Sequence, residues 1–409
     1  METNLTKRRW IILIASCVIN LCIGSLYAWS IFSNPMAAYL SETTGTEIKS
    51  LAYIFTIANA VGPITMISGG ALNKKLGVRT VIILGGILFG LGMILSGFVK
   101  SPGLLAVTYG LGVGLGCGCI YGCTVSNSIK FFPDKKGLIG GLAAASYGIS
   151  SVIIPIIANV IISNFSVTTA FKLLGSVMLV LILISSCFIV SCPDGFTPEG
   201  YVATTTSNNK ATVDKNYKEM LKDPIFYVML VMMLCGAFSG MMIISQASPM
   251  SQNLVGMSAA AAAVIVSILA LANTLGRIVS GYMADKLGFP NALIIAFVVT
   301  ILGLSMLLMS KEGSETIFRI GICFVGFGFG SLMGTYPGFT SAQFGTKHNG
   351  VNFGIMFIGF ALAGYLGPII MSSLYASTNT YRMAFIIAVC LSILGIILNF
   401  IYRKMNSKK

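Results

Sequence analysis

Long apolar runs alternate with short polar breaks along the whole chain. The runs fall near 10–32, 50–70, 80–99, 103–128, 138–162, 171–192, 225–247, 257–281, 290–310, 316–340, 350–375 and 382–402. About 20 residues of helix cross a hydrocarbon core, whereas a strand needs about ten. Only helices and closed barrels satisfy every backbone group in lipid. The pattern therefore predicts an all-α integral membrane protein with twelve transmembrane helices. One longer polar break, 193–222, divides them into an N-terminal six-helix bundle (1–192) and a C-terminal one (223–409), joined by a cytoplasmic linker. The opening Lys7-Arg8-Arg9 and its apolar run have the look of a signal peptide. That run continues to Phe32, too long for a signal core, so an uncleaved first span is expected.

Composition agrees: 9% of residues are charged, against about 25% in soluble domains. The net charge of +14 raises the question of nucleic acid, and the placement of the charges answers it. With both termini on the cytoplasmic side, that side carries nineteen of the 26 Lys and Arg residues. The outer side carries Lys49, Lys100, Lys172, Lys311 and Arg382, and Arg319 can snorkel from a span end. The basic excess is a topology signal and not a nucleic-acid patch. A multi-pass protein of the cell membrane, in a bacterium the inner membrane, is expected. The ten cysteines lie almost all within apolar runs and form no CxxC pair, so they read as packing residues. No metal cluster, nucleophile–base pair or phosphate loop is present in the sequence, so neither an enzyme nor a metal or cofactor is expected.

The two halves repeat each other. Asn34-Pro35-Met36 ends span 1 and Ser248-Pro249-Met250 ends span 7. Gly70 through Gly77 follows span 2, as Gly281 through Gly288 follows span 8. Phe131–Gly137 precedes span 5 as Phe344–Gly350 precedes span 11, and Gly141 and Pro155 match Gly354 and Pro368. Such repeats place a substrate site at their interface near the membrane midplane. The glycines of span 4 (Gly110 to Gly118) and span 10 (Gly326, Gly328, Gly330) are expected to permit close helix packing.

One charge lies deep in a span: Arg277. It stands eight residues before Asp285 at the membrane edge, about 12 Å into a core of roughly 30 Å. A cation there costs roughly 2.5–3.5 kcal/mol on insertion scales. None of the 12 Asp and Glu residues falls inside an expected span, so the neutralising anion is expected to be the cargo. A guanidinium fork matches the two oxygens of a carboxylate.

The Gly-x-x-x-Asp-Lys-x-Gly string at 281–288, with its partner at 70–77, resembles the loop signature of the major facilitator superfamily. The resemblance implies gating loops that close the cytoplasmic face, here Gly70, Arg79, Gly281, Asp285 and Lys286. The acidic position is kept as Asp285 and replaced by Lys74 in the first half. A narrower resemblance, to the oxalate/formate antiporter family related to monocarboxylate transporters, rests on four features. They are Tyr27-Ala28-Trp29-Ser30 with Asn34-Pro35, Phe131 through Gly137, Arg277, and Asn352-Phe353-Gly354. It implies that Arg277 is the substrate arginine. The second cation of the family's oxalate carrier is replaced by Phe360, the duplication partner of Tyr147. The acid that monocarboxylate transporters keep four residues before the arginine is replaced by Asn273, which cannot titrate. Leu26, Phe329 and Met333 make the other pocket positions apolar.

Together these features suggest a secondary transporter of small carboxylates by alternating access, with lactate, pyruvate or formate preferred over oxalate. Arg277 would anchor the anion. Tyr27, Tyr121 and Tyr147 would donate hydroxyls, with Trp29 and Phe360 as cavity walls and Asn273 beside the arginine. Taken alone, each tyrosine suits core packing equally well. Exchange or uniport fits the residues more directly than proton symport, leaving a proton or a counter-anion as the candidate coupling ion. An oxalate/formate exchanger and a carboxylate sensor that does not transport are the alternatives. Family analogy suggests a monomer.

Overall fold

A computed structural model of the chain describes residues 2–48, 50–193, 195–199 and 214–407. The middle of the expected linker, 200–213 with Lys210, lies outside the described residues, as do Lys49, Lys408 and Lys409. Among the described residues twelve helices are long and apolar enough to cross a membrane: Leu5–Thr44, Tyr53–Asn73, Val78–Ser96, Pro102–Phe131, Lys136–Asn164, Val167–Ser186, Pro224–Val255, Ala261–Leu287, Phe289–Met309, Glu315–Phe344, Asn349–Thr378 and Arg382–Asn406. They are spans 1–12 below. Several outrun the apolar stretch that announced them. Span 1 is 40 residues long, and span 6 begins at Val167 instead of near 171. Hydropathy marks only the part in hydrocarbon, while a helix continues into the polar boundary until a cap stops it.

The caps are visible. Ser166, Ser258 and Asp223 accept backbone N–H groups at the starts of spans 6, 8 and 7, satisfying donors that the first turn leaves over. Span 1 ends at Gly45 (φ 68°) and span 7 at Gly256 (φ 76°), both in the left-handed region where a missing Cβ removes the steric penalty. The duplication extends to the loops after spans 2 and 8. Gly77 has φ 80°, ψ 156° and Gly288 has φ 84°, ψ 148°, a conformation essentially restricted to glycine.

The chain forms two compact units. Unit 1 comprises Met1–Asp134, Ser146–Asp214 and Gly345–Ile355; unit 2 comprises Lys135–Ala145, Lys215–Phe344 and Met356–Lys409. In unit 1, span 1 is interrupted by a 3₁₀ segment, Gly24–Ala28, and span 4 carries a π segment, Ala106–Val113. Its glycines serve close packing, as expected. A methyl on Gly114 would sit 2.7 Å from Ala58 Cα, and one on Gly116 would sit 2.7 Å from Phe89 N. In unit 2, spans 8 and 10 pack in the same way. Gly276 lies against the backbone of Phe327 and Ser331, and Gly330 and Gly334 lie against the backbone of Asn273 and Arg277. Without a solvent-driven hydrophobic term between helices in lipid, such backbone approach is how spans cohere.

Candidate functional site

Arg277 is 2% exposed on span 8 of unit 2. Its Nε–H donates to Asn273 Oδ1, one helical turn earlier, at 3.1 Å. Nη1 donates to the carbonyl of Ala144, in the first part of span 5, at 2.6 Å. The Nη2 end bonds no described residue, and it is not among the fully buried atoms left without a partner. Among the described residues the ion pairs are Arg9–Asp134, Lys215–Asp223 and Arg319–Glu315, so none neutralises Arg277. Protein groups thus engage Nε and Nη1, and no described residue bonds Nη2.

Glycines around the arginine make this arrangement possible. A methyl on Gly334 would lie 2.7 Å from Arg277 Cα, and one on Gly330 would lie 2.9 Å from Asn273 Cα. Gly141 of span 5 rests on the Arg277 carbonyl. Three helix segments therefore meet backbone to backbone around one cation. In the same unit the rings of Phe357, Phe360 and Phe329 form a stack. Centroids are 4.5 Å apart for the first pair and 6.3 Å for the second, and Phe360 is 6% exposed.

In unit 1 three of the expected residues come together. Tyr147 meets Tyr27 edge-on at 5.2 Å and Tyr121 at 5.1 Å. Its hydroxyl shares a hydrogen bond with Cys117 Sγ at 3.5 Å. The 3₁₀ segment helps position Tyr27, because Gly24 presses on the Tyr147 carbonyl where a side chain would not fit. Trp29 is placed differently. Its ring lies 4.6 Å from that of Tyr109, in a group with Phe32 and Phe171, and its buried Nε1 makes no hydrogen bond to a described residue.

The positions expected to gate make distinct contacts. The Asp285 carboxylate accepts the N–H of Gly137 at 2.6 Å and of Leu138 at 2.7 Å, closing the first turn of span 5. Gly281 packs on the backbone of Gly137, and Gly70 packs on Gly350 and Val351. Arg79 donates to the carbonyls of Ile189 (3.1 Å) and Cys187, where a cation suits the negative end of span 6. Lys286 lies over the Tyr282 ring, 4.7 Å from its centroid. Sequence reasoning missed the Ala144 carbonyl and the part played by Gly330 and Gly334. The Asn273–Arg277 bond was within reach, since i, i+4 neighbours on a helix meet.

The profile of the Major Facilitator Superfamily matches residues 18–368. Among curated relatives, the chain is 28% identical over 360 residues to the uncharacterized MFS-type transporter YhjX of Escherichia coli, covering 88% of this chain and 87% of that one. It is 26% identical over 368 residues to the oxalate:formate antiporter of Oxalobacter formigenes, covering 90% and 85%. It is 24% identical over 402 residues to human monocarboxylate transporter 12, covering 92% and 77%. Among solved structures it is similar to the transporter FucP, with a TM-score of 0.71 at 12% identity, covering 97% and 99%. It is also similar to the proton:xylose symporter XylE, with a TM-score of 0.75 at 14% identity, covering 96% and 95%. A twelve-helix chain whose length is matched by that profile from span 1 into span 11 belongs to the Major Facilitator Superfamily of transporters, not to an enzyme family.

Proposed function

We propose that this transporter carries small carboxylate anions, with monocarboxylates such as lactate, pyruvate or formate preferred, and that Arg277 is the anchor. The observation that carries the reading is the half-engaged guanidinium. Arg277 is buried, is held by Asn273 and Ala144, lacks a described carboxylate partner, and keeps its Nη2 end available. A carboxylate meeting that end would form charge-assisted bonds, and its arrival would offset the cost of the buried cation. The names of two relatives, an oxalate:formate antiporter and a monocarboxylate transporter, support the same substrate class.

The preference for one carboxylate over two follows from Phe360 and its ring stack, which offer no second charge. At 4 Å and an effective dielectric of about 20, a missing charge contact forfeits up to about 4 kcal/mol. The hydroxyls of Tyr27, Tyr121 and Tyr147 are candidate donors to the travelling anion. Asn273 cannot titrate, so exchange or uniport suits the residues better than coupling through a side-chain proton. The basic residues at the loops after spans 2, 4, 8 and 10 support a topology with both termini in the cytoplasm.

Uptake of labelled lactate, pyruvate, formate and oxalate into proteoliposomes tests this reading, with an inward proton gradient compared against internal preloading of each acid. Monocarboxylate uptake lost in Arg277→Ala supports it. Strong oxalate uptake by the unaltered protein would favour the oxalate/formate exchanger instead. No uptake of any acid would refute both.

A further inference from the structure

The duplication sets Gly70–Gly77 against Gly281–Gly288 and Gly137-Leu138 against Gly350-Val351. In unit 2 the two partners meet through a carboxylate: Asp285 takes the N–H groups of Gly137 and Leu138, beside the Gly281–Gly137 backbone contact. Unit 1 repeats the backbone contact, with a methyl on Gly70 falling 2.7 Å from both Gly350 C and Val351 N. The carboxylate is not repeated, because the position of Asp285 is Lys74. Asp134, another acid at this level, corresponds to Lys347.

Where unit 1 lacks its acid there is a cavity of about 370 Å³. Lys130, Lys347, His348, Asn73 and Ser126 line it together with Gly350 and Val351, and no acidic residue does. Neither lysine forms an ion pair with a described residue. Ser126 is 3% exposed, and its buried Oγ makes no hydrogen bond to a described residue. Asp214 is occupied with the Lys347 N–H at 3.1 Å. The Val351 N–H is taken by the His348 carbonyl at 3.1 Å, so donors to an anion here come from side chains, Lys130, Lys347 and Ser126 among them, and the start of span 11 adds its positive end.

We propose that this cavity binds a free carboxylate anion, which supplies beside the Gly70–Gly350 contact of unit 1 the negative charge that Asp285 supplies beside the Gly281–Gly137 contact of unit 2. The anion bridges Lys130, Lys347 and the Ser126 hydroxyl. It thereby ties the end of span 4 to the start of span 11 and steadies the Gly70–Gly350 contact. The site is separate from Arg277 and does not depend on what Arg277 binds. In the proposed topology it takes its ligand from the cytoplasm, so the internal carboxylate concentration sets how firmly this contact is held.

The test is thermal unfolding of the full-length protein in detergent, titrated with acetate at constant ionic strength. Arg277→Ala serves as the background, so that failure of the anchor reading and failure of this site are distinguishable. The expected result is a rise in Tm that saturates with acetate. Adding Lys347→Gln or Ser126→Ala should weaken the half-saturating concentration by about tenfold. Lys74→Asp, which supplies the missing acid covalently, should abolish the response while leaving the acetate-free protein at least as stable. The proposal is overturned if acetate does not raise Tm in the Arg277→Ala background, or if the rise survives Lys347→Gln and Ser126→Ala unchanged. Equal stabilisation by chloride or phosphate would equally overturn the assignment to a carboxylate.

Discussion

Asn273 holds Arg277: its Oδ1 accepts the Nε–H at 3.1 Å across one turn of span 8. A neutral acceptor orients the cation without neutralising it, which leaves the charge for a ligand. Replacing it by an acid would end that arrangement. Asn273→Asp puts a fixed carboxylate within reach of the guanidinium. The expected outcome at neutral pH is at least about a tenfold rise in KM for a monocarboxylate, since ~1.4 kcal/mol of competing attraction is enough. Initial-rate uptake measures it. An unchanged KM would mean that the cation is not the binding determinant.

Phe360→Lys supplies the second charge that the ring stack lacks. Oxalate uptake should rise relative to lactate by about tenfold or more, within the limit of about 4 kcal/mol for one added contact. Competition between the two labelled acids reads the ratio directly.

Asp285→Ala removes the acceptor of two N–H groups at the start of span 5. The group is exposed, so a cost of about 1 kcal/mol is expected, as for loss of a helix N-cap. Thermal unfolding should show a modest drop that Asp285→Asn partly restores, because an amide oxygen still accepts.

Gly334→Ala drives a methyl to 2.7 Å from Arg277 Cα, against backbone that cannot yield. Overpacking of this kind costs about 1–3 kcal/mol. The variant should lose both stability and uptake. The corresponding change at Gly103, which has open space around it, should cost no more than a few tenths of a kcal/mol.

Trp29→Phe removes a buried N–H that makes no bond to a described residue. The loss of ring area and the relief of an unsatisfied donor oppose each other, so stability should change by less than about 1 kcal/mol. Uptake should survive, in contrast to Arg277→Ala.

The spans were legible because lipid imposes one rule on all of them, and runs of some 20 apolar residues leave no rival reading. The duplication was legible in Gly77 and Gly288 because their conformation admits little but glycine. Arg277 stood out because charge at that depth is costly wherever it occurs. What periodicity does not encode is the neighbour. Nothing in the run around Ala144 marks its carbonyl as the partner of a guanidinium in another span. Trp29 lies two residues from Tyr27, so the two rings leave different faces of the span, and Trp29 packs with Tyr109. Residues 135–145 belong with the later spans and 345–355 with the earlier ones, a pairing set by glycine contacts between distant segments.

The most direct measurement is equilibrium binding of radiolabelled lactate to the purified protein, by scintillation proximity, in the unaltered form and in Arg277→Lys and Arg277→Ala. The account predicts saturable binding that Arg277→Ala abolishes. Arg277→Lys should retain it only weakly, since an ammonium keeps the charge and loses the fork. Undiminished lactate binding by a folded Arg277→Ala protein would contradict it.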